Sequence, residues 1–275
     1  MKKKIIISIT ALSFIGLLII FALYGNKIIY PPLSEPTKSA INDITFVAHR
    51  GFSGVAPENT LAAIEEAGKA SFYGAEFDIR LTSDGEWVVI HNDSLEDMAG
   101  IDALVSEMKA DELTQITLTG GKGTDKYPDE KIPTLTQALE KCKEAGVVPV
   151  VEIKLNDDQS PDYEYLAKLI KSADCDNLLV ISFTGDALVQ LKKYLPEAEY
   201  WFLASYVTEE SISFCTENNL DGLNFDGRKI ENHRYVKKII NADLTVAAWT
   251  IDNIRLMEKL YDLGVKTITT NVIYP

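Results

Sequence analysis

Thiols and imidazoles are both scarce in this chain, which has three cysteines and three histidines in 275 residues. Cys142, Cys175 and Cys215 are odd in number and are nowhere spaced as a Cys-x-x-Cys pair. That excludes a thiolate metal cage and a disulfide-framed fold. They read as small buried apolar side chains, with one disulfide left open should the domain face an oxidising compartment. Positive charge is the minority as well. Lys and Arg number 27 against 41 Asp and Glu, for a net charge of −14, and no long basic run occurs beyond the N-terminus. Nucleic acid is held mainly by clustered Lys and Arg, so the composition argues against that partner. The acidic excess reads as solvated surface, and a phosphate ligand would need a local basic pocket. Internal repeats and low-complexity tracts are absent.

One long apolar run is present. Lys2-Lys3-Lys4 precede residues 5–24, which are softened only by Ser8, Thr10 and Ser13. About 20 residues at roughly 1.5 Å each suffice to cross a hydrocarbon core, and flanking lysines favour a cytoplasmic N-terminus. Residues 1–24 are therefore expected to form a single transmembrane anchor. The alternative is a cleaved signal peptide, although Phe21-Ala22-Leu23-Tyr24-Gly25 offers no good small-x-small site and no lipobox cysteine follows. Residues 25–43 include Tyr30-Pro31-Pro32-Leu33-Ser34-Glu35-Pro36-Thr37, a Pro-rich and semi-extended spacer. The expectation is a cell-membrane protein whose domain lies outside the cytoplasm, or a secreted one if the segment is cleaved.

An apolar content of 46% over this length is enough for one large barrel or two modest domains. From residue 44 onward, short apolar strands alternate with amphipathic stretches. Strands are expected at 44–48, 75–79, 148–153, 178–182, 200–203, 222–225, 245–249 and 267–270. Helices are expected at 61–70, capped by Asn59 or Thr60, and at 135–145, 163–172, 186–193, 209–218, 235–240 and 255–263. Strict alternation implies parallel strands with crossover helices, and eight such units argue for a TIM-type (β/α)8 barrel spanning 44–275. Thr82-Ser83-Asp84-Gly85 reads as a hairpin turn leading to an extra strand at 87–90. Residues 93–131 read as an insertion after the second strand, with a helical piece at 105–113 and a soft loop at 119–124.

The chemistry-bearing residues cluster near strand ends, where barrels of this kind place their sites. His49 and His91 close two apolar runs. Glu76-Phe77-Asp78 places two carboxylates at i and i+2, on one face of a strand. With Phe77 and Ile79 turned to the helical layer, both acids face the barrel interior, where unpaired charge is costly. A hard cation would offset that cost. Glu152-Ile153-Lys154 repeats the format. All-oxygen ligation suits Ca²⁺ or Mg²⁺ over Zn²⁺. Histidine can take or give a proton near neutrality, while Arg50 and Lys154 can hold phosphate oxygens. Together these groups suggest metal-assisted phosphoryl transfer. His233, in Glu231-Asn232-His233-Arg234, reads as a residue of a polar loop without a catalytic part. Trp249, Phe183 and Asn224-Phe225, also at strand ends, are candidates for lining a cleft.

The motifs, in order, are His49-Arg50-Gly51, Pro57-Glu58-Asn59-Thr60, Glu76-Phe77-Asp78, Thr82-Ser83-Asp84-Gly85, Val88-Val89-Ile90-His91, Ile132-Pro133-Thr134-Leu135, Glu152-Ile153-Lys154 and Ala248-Trp249-Thr250-Ile251. In that order the chain resembles the glycerophosphodiester phosphodiesterases from about residue 44 to its end. The resemblance implies a TIM barrel, one divalent cation on Glu76, Asp78 and Glu152, His49 and His91 as the acid–base pair, and Trp249 as a pocket wall. It also implies hydrolysis of glycerophosphodiesters to an alcohol and glycerol 3-phosphate, and an insertion that helps cover the site. The alternatives are a phospholipase D-like or phosphatidylinositol-cleaving enzyme acting on lipid head groups, or a non-catalytic binding module. The chain departs from the family pattern at Asn92 and Asn271, where the family commonly has Asp, and in lacking an Arg just beyond His91. If the usual Asp orients His91, Asn92 weakens that support unless Asp93 substitutes.

Overall fold

The computed structural model describes residues 41–175 and 177–274. The expected anchor, residues 1–24, lies outside the described residues, as does nearly all of the 25–43 spacer. Among the described residues no helix is long and apolar enough to cross a membrane.

The strands, in chain order, are β1 (Thr45–Ala48), β2 (Gly74–Leu81), β3 (Trp87–Val89), β4 (Val148–Lys154), β5 (Leu179–Ser182), β6 (Glu199–Ala204), β7 (Gly222–Asp226), β8 (Thr245–Trp249) and β9 (Thr267–Thr270). All but β3 are parallel, and they close on themselves in the order β1, β2, β4, β5, β6, β7, β8, β9, back to β1. Eight parallel strands with intervening helices make the TIM-type barrel that the alternation predicts. The helices are α1 (Leu61–Lys69), α2 (Glu96–Ala99), α3 (Ala110–Leu113), α4 (Leu135–Ala145), α5 (Tyr163–Ser172), α6 (Gly185–Lys192), α7 (Glu209–Glu217), α8 (Val236–Asn241) and α9 (Ile254–Leu263).

Strand alternation separates two cores. Along β2, Ala75, Phe77, Ile79 and Leu81 join the large cluster between sheet and helices, as do Val151 and Ile153 of β4. Burying a residue such as Phe77 or Ile79 contributes roughly 1.5–3 kcal/mol, which fixes the facing of its neighbours. The barrel interior holds a smaller cluster of Val47, Val150, Leu179, Ile181, Trp201, Leu203 and Ala247. Polar residues of β2 and β4 sit above it, toward the C-terminal end.

β2 runs past the barrel rim. Its first residues pair with β1, whereas Ile79, Arg80 and Leu81 pair antiparallel with Val89, Val88 and Trp87 of β3. Residues 93–131 then build a third core on β3, from Val88, Ile90, Leu95, Met98, Val105, Leu113, Leu118 and Ile132. The helix expected at 105–113 is instead a 3₁₀ turn at Val105–Glu107 and the short α3, separated by extended Met108 and Lys109. Val105 and Leu113 anchor separately, and Asp84 Oδ1 accepts from Ala110 N at 3.1 Å. The 119–124 loop approaches α2 closely, and a Cβ on Gly120 would lie 2.2 Å from the Asp97 carbonyl oxygen.

An open choice is resolved and one further local reading changes. Of the two caps expected for α1, the structure uses Thr60, whose Oγ1 accepts from Ala63 N at 3.1 Å. The stretch around His233 is a 3₁₀ helix, Ile230–Tyr235, and not a loop. Its Asn232 and His233 are buried. His233 Nε2 lies 2.8 Å from the Gly227 carbonyl, a structural role.

Candidate active site

The C-terminal mouth of the barrel opens into a cleft of about 610 Å³ lined by His49, Arg50, Glu76, His91, Glu152, Lys154, Phe183, Asn224, Arg228 and Trp249, among others. A cavity of about 550 Å³ at the opposite end, among Thr45, Val148, Thr245 and Thr267, lacks this carboxylate–histidine set. The chemistry therefore belongs to the mouth.

Strand register builds the acidic cluster. Asp78 of β2 and Glu152 of β4 are direct lateral neighbours, and Glu76 sits one inward position below Asp78. Candidate ligand oxygens of the three lie within 4.8 Å of one another, and all three side chains are buried. The backbone N–H of Arg50 donates to Glu76 Oε2 at 2.7 Å. That contact requires a sharp turn after β1, with φ of +55° at Arg50 and +71° at Gly51, and a Cβ on Gly51 would lie 2.6 Å from Ala63. Glycine alone accommodates both constraints.

Two cations face three carboxylates. Lys154 Nζ donates to Glu152 Oε1 at 2.6 Å and lies 3.3 Å from Asp78 Oδ1. Arg50 binds Glu58 at 2.7 Å and its Nε lies 3.6 Å from Asp78 Oδ2. Glu76 Oε1 is buried with no hydrogen-bond partner among the described residues. Burial, followed by Asp78 and Glu152, raises the Glu76 pKa well above the usual carboxylate value. Burial and Asp78 likewise push Glu152 up to about 7. Burial works the same way on Asp78, but Lys154, His91 and Arg50 outweigh it and hold its pKa below the ordinary value. A buried oxygen without a donor, inside an all-carboxylate cluster with surplus negative charge, fits a hard divalent cation.

The histidines enter from two sides, His49 just after β1 and His91 after β3. Burial depresses both pKa values, helped by Arg50, with Lys154 also acting on His91. His49 Nδ1 lies 2.8 Å from Asn271 Oδ1, and His91 Nδ1 lies 2.6 Å from Asn92 Oδ1. Asp93 does not substitute as the partner of His91, because it is taken up by Ser106 N and Oγ (2.9 and 2.8 Å) and Asn156 Nδ2 (3.0 Å). Asn92 itself makes the contact. Arg80 supports the same loop, donating from Nε to the His91 carbonyl at 2.8 Å.

All eight residues expected at the site thus converge on one place. Trp249 lines the cleft, with Phe183 edge-on to it at 5.5 Å between centroids. Asn224 lines it too, whereas Phe225 is buried in the sheet–helix core. Three contributors escaped the sequence reading. Asn59, at φ +59°, bonds Asp78 twice, from Nδ2 to Oδ2 at 2.8 Å and from Asp78 N to Oδ1 at 2.9 Å. Arg228 is paired with Asp226 at 2.8 Å and stands 5.9 Å over the Trp249 ring. Asp252 underlies Asn271.

Comparison with known proteins agrees with this geometry. Residues 49–274 match the sequence model of the Glycerophosphoryl diester phosphodiesterase family. A glycerophosphodiester phosphodiesterase of Caldanaerobacter subterraneus subsp. tengcongensis is 28% identical over 238 residues, covering 82% of this chain and 93% of that protein. Among solved structures, an Oleispira antarctica phosphodiesterase in complex with the product sn-glycerol-3-phosphate superposes with a TM-score of 0.71 at 31% identity, covering 84% of this chain and 95% of the other. A glycerophosphodiester phosphodiesterase from Parabacteroides distasonis gives a TM-score of 0.68 at 28% identity, covering 83% and 93%.

Proposed function

The chain belongs to the glycerophosphoryl diester phosphodiesterase family and is a phosphoric diester hydrolase, and on that footing we propose that it cleaves glycerophosphodiesters to an alcohol and glycerol 3-phosphate by histidine acid–base catalysis assisted by one divalent cation. The observation that carries the reading is the convergence, in one cleft, of two histidines, two cations and a carboxylate cluster with an unpartnered buried oxygen. Glu76, Asp78 and Glu152 would hold Ca²⁺ or Mg²⁺. Bound there, the ion supplies positive charge to phosphate oxygens and withdraws electron density from phosphorus.

The remaining work falls to the chain itself. Arg50 and Lys154 stand beside the cluster and offer charge-assisted hydrogen bonds to the non-bridging oxygens, whose charge changes as the P–O bond breaks. One histidine takes the proton of the attacking oxygen and the other delivers a proton to the departing alkoxide, so each bond change is matched by a proton transfer. Both rings have depressed pKa values, and a neutral imidazole is the form a base needs. The anionic substrate raises the partner that must act as acid. Phe183 and Trp249 form an apolar wall for the glycerol or alcohol portion.

We place the domain outside the cytoplasm, held by an uncleaved anchor, from the lysine-flanked apolar run alone. Phosphorus NMR on glycerophosphocholine and a lysophospholipid tests the function. Glycerol 3-phosphate with free choline is the expected outcome. A cyclic phosphate from the lipid substrate would favour the phosphatidylinositol-type reaction, and binding without turnover would leave a non-catalytic module.

A further inference from the structure

We propose that Asp252 and Asp97 are positioning residues, each setting the tautomer of a cleft histidine through an intervening asparagine amide. The two histidines come from separate elements, yet each is built the same way. Asn271 Nδ2 donates to Asp252 Oδ2 at 2.7 Å, while Asn271 Oδ1 lies 2.8 Å from His49 Nδ1. Asn92 Nδ2 donates to Asp97 Oδ2 at 2.8 Å, while Asn92 Oδ1 lies 2.6 Å from His91 Nδ1.

The amide transmits the orientation. An ionised carboxylate only accepts hydrogen bonds, so it draws the NH₂ end of the asparagine and turns the oxygen toward the ring. At His49 the orientation is over-determined. Asp252 Oδ1 also accepts from the Asn271 backbone N at 2.8 Å and from Thr270 Oγ1 at 3.1 Å, which fixes the carboxylate. Ser53 Oγ donates to Asn271 Oδ1 at 2.8 Å, a contact compatible with the orientation that Asp252 sets. An amide oxygen at hydrogen-bond distance from Nδ1 requires the proton on Nδ1, so in the neutral ring Nε2 carries the lone pair and faces proton transfer. The departures at Asn92 and Asn271 are then not losses: each puts an acceptor on the ring and moves the carboxylate one residue back. Tautomer errors of this kind lower turnover in histidine-dependent hydrolases by up to roughly 10⁴.

The reading of the two histidines as proton-transfer groups enters only the expected effect on turnover, so the test separates the two claims. With three histidines in the chain, ring nitrogens of the ¹⁵N-labelled full-length protein can be assigned individually by NMR, with His233 as internal control. In the wild type, His49 and His91 are expected in the Nδ1–H form, and Nε2–H at either overturns the proposal without any variant. Asp252→Asn keeps the shape but leaves one acceptor oxygen, which the Asn271 backbone N–H claims. Its NH₂ group then faces Asn271, whose amide must reverse, and His49 alone should change to Nε2–H. Turnover should fall roughly 10²–10⁴-fold with little change in KM. The exchanged pair, Asn271→Asp with Asp252→Asn, restores an acceptor on Nδ1 and should recover both tautomer and turnover. A His49 that keeps its tautomer in Asp252→Asn, or an exchanged pair that does not recover it, refutes the relay. A tautomer that moves while turnover does not would uphold the relay and remove His49 from catalysis.

Discussion

Replacing Glu152 by Gln should stabilise the metal-free protein while crippling its metal response. The unfolded chain releases the Glu152 proton near the ordinary value of 4.5, whereas the folded protein holds it until about 7. Between those values the unfolded state binds fewer protons, so the contribution of this group to stability falls as pH rises, and it is fully lost above pH 7. At about 1.4 kcal/mol per unit, the ionised carboxylate costs the chelated wild type roughly 3 kcal/mol at pH 8. Glutamine removes that cost and still offers an oxygen to Lys154, though Lys154 loses one of its two charged partners. The net gain should be about 1–3 kcal/mol, or roughly 2–10 °C in Tm for a domain of this size. His49 and His91, with depressed pKa values, work in the opposite sense in an overlapping window. Their stability is present above about 6.5 and is lost as pH falls below it. The observable is therefore the Tm difference between variant and wild type in EDTA, in which the histidine contribution cancels. That difference should be near zero at pH 4.5 and grow through pH 7. Excess Ca²⁺ or Mg²⁺ should reverse it, since a ligand at about 100 times its Kd adds about 2.7 kcal/mol to the wild type. A variant less stable than wild type at pH 8 in EDTA, or one equally stabilised by metal, would refute the reasoning.

Three further outcomes follow from the same geometry. His49→Ala and His91→Ala should each lower turnover roughly 10²–10⁴-fold with little change in KM, and a nitrophenyl phosphodiester, whose leaving group needs little protonation, should largely rescue whichever histidine is the acid. Equal losses on both substrates would reject the division of labour. Asn59→Ala strips two hydrogen bonds from buried Asp78 and strains a backbone at φ +59°, so urea denaturation should show a loss of about 2–4 kcal/mol and calorimetry a weaker metal affinity. Unchanged affinity would show that Asp78 needs no such support. Protease added to intact cells should release the domain by cutting near residues 30–37, and a protein untouched until lysis would reverse the proposed orientation.

What could be read from the sequence follows the range of the forces involved. Barrel strands were legible because alternation is local: Phe77 and Ile79 must be buried, so Glu76 and Asp78 must face inward, and the register with β4 brings Glu152 alongside Asp78. The helix expected at 135–145 from its amphipathic pattern is observed at Leu135–Ala145, where the fold closes it with a Thr134–Gln137 capping box and a left-handed Gly146. Where the reading failed or stayed open, the cause is tertiary. Residues 105–113 carry helical spacing, yet Val105 and Leu113 are claimed by a core on β3 and Asp84 takes the N–H of Ala110, so tertiary anchors break the helix. Asn59 sits where an N-cap would sit and its residue type suits one. Thr60 suits one equally, and only the fold shows that Asp78, 19 positions on, holds Asn59 and leaves Thr60 as the cap.

The histidine partners show the same limit most sharply. Along the sequence, positions 92 and 271 each register a missing carboxylate, and position 92 reads as weaker support for its histidine. Asn271 meets His49 across 222 residues, and Asp252 reaches Asn271 from the loop after β8. Asp97 reaches Asn92 from α2, in a stretch that reads as surplus acids along the chain. Orientation of an imidazole depends on which atom faces Nδ1 and not on the charge of the residue carrying it, so an amide held by a remote carboxylate can do the work of a carboxylate in contact. No periodicity or motif spacing encodes that pairing. It exists only where the barrel closes, at the rim where β9 meets β1 and β3 rises beside β2, which is why the site's most informative residues were the ones that looked like departures.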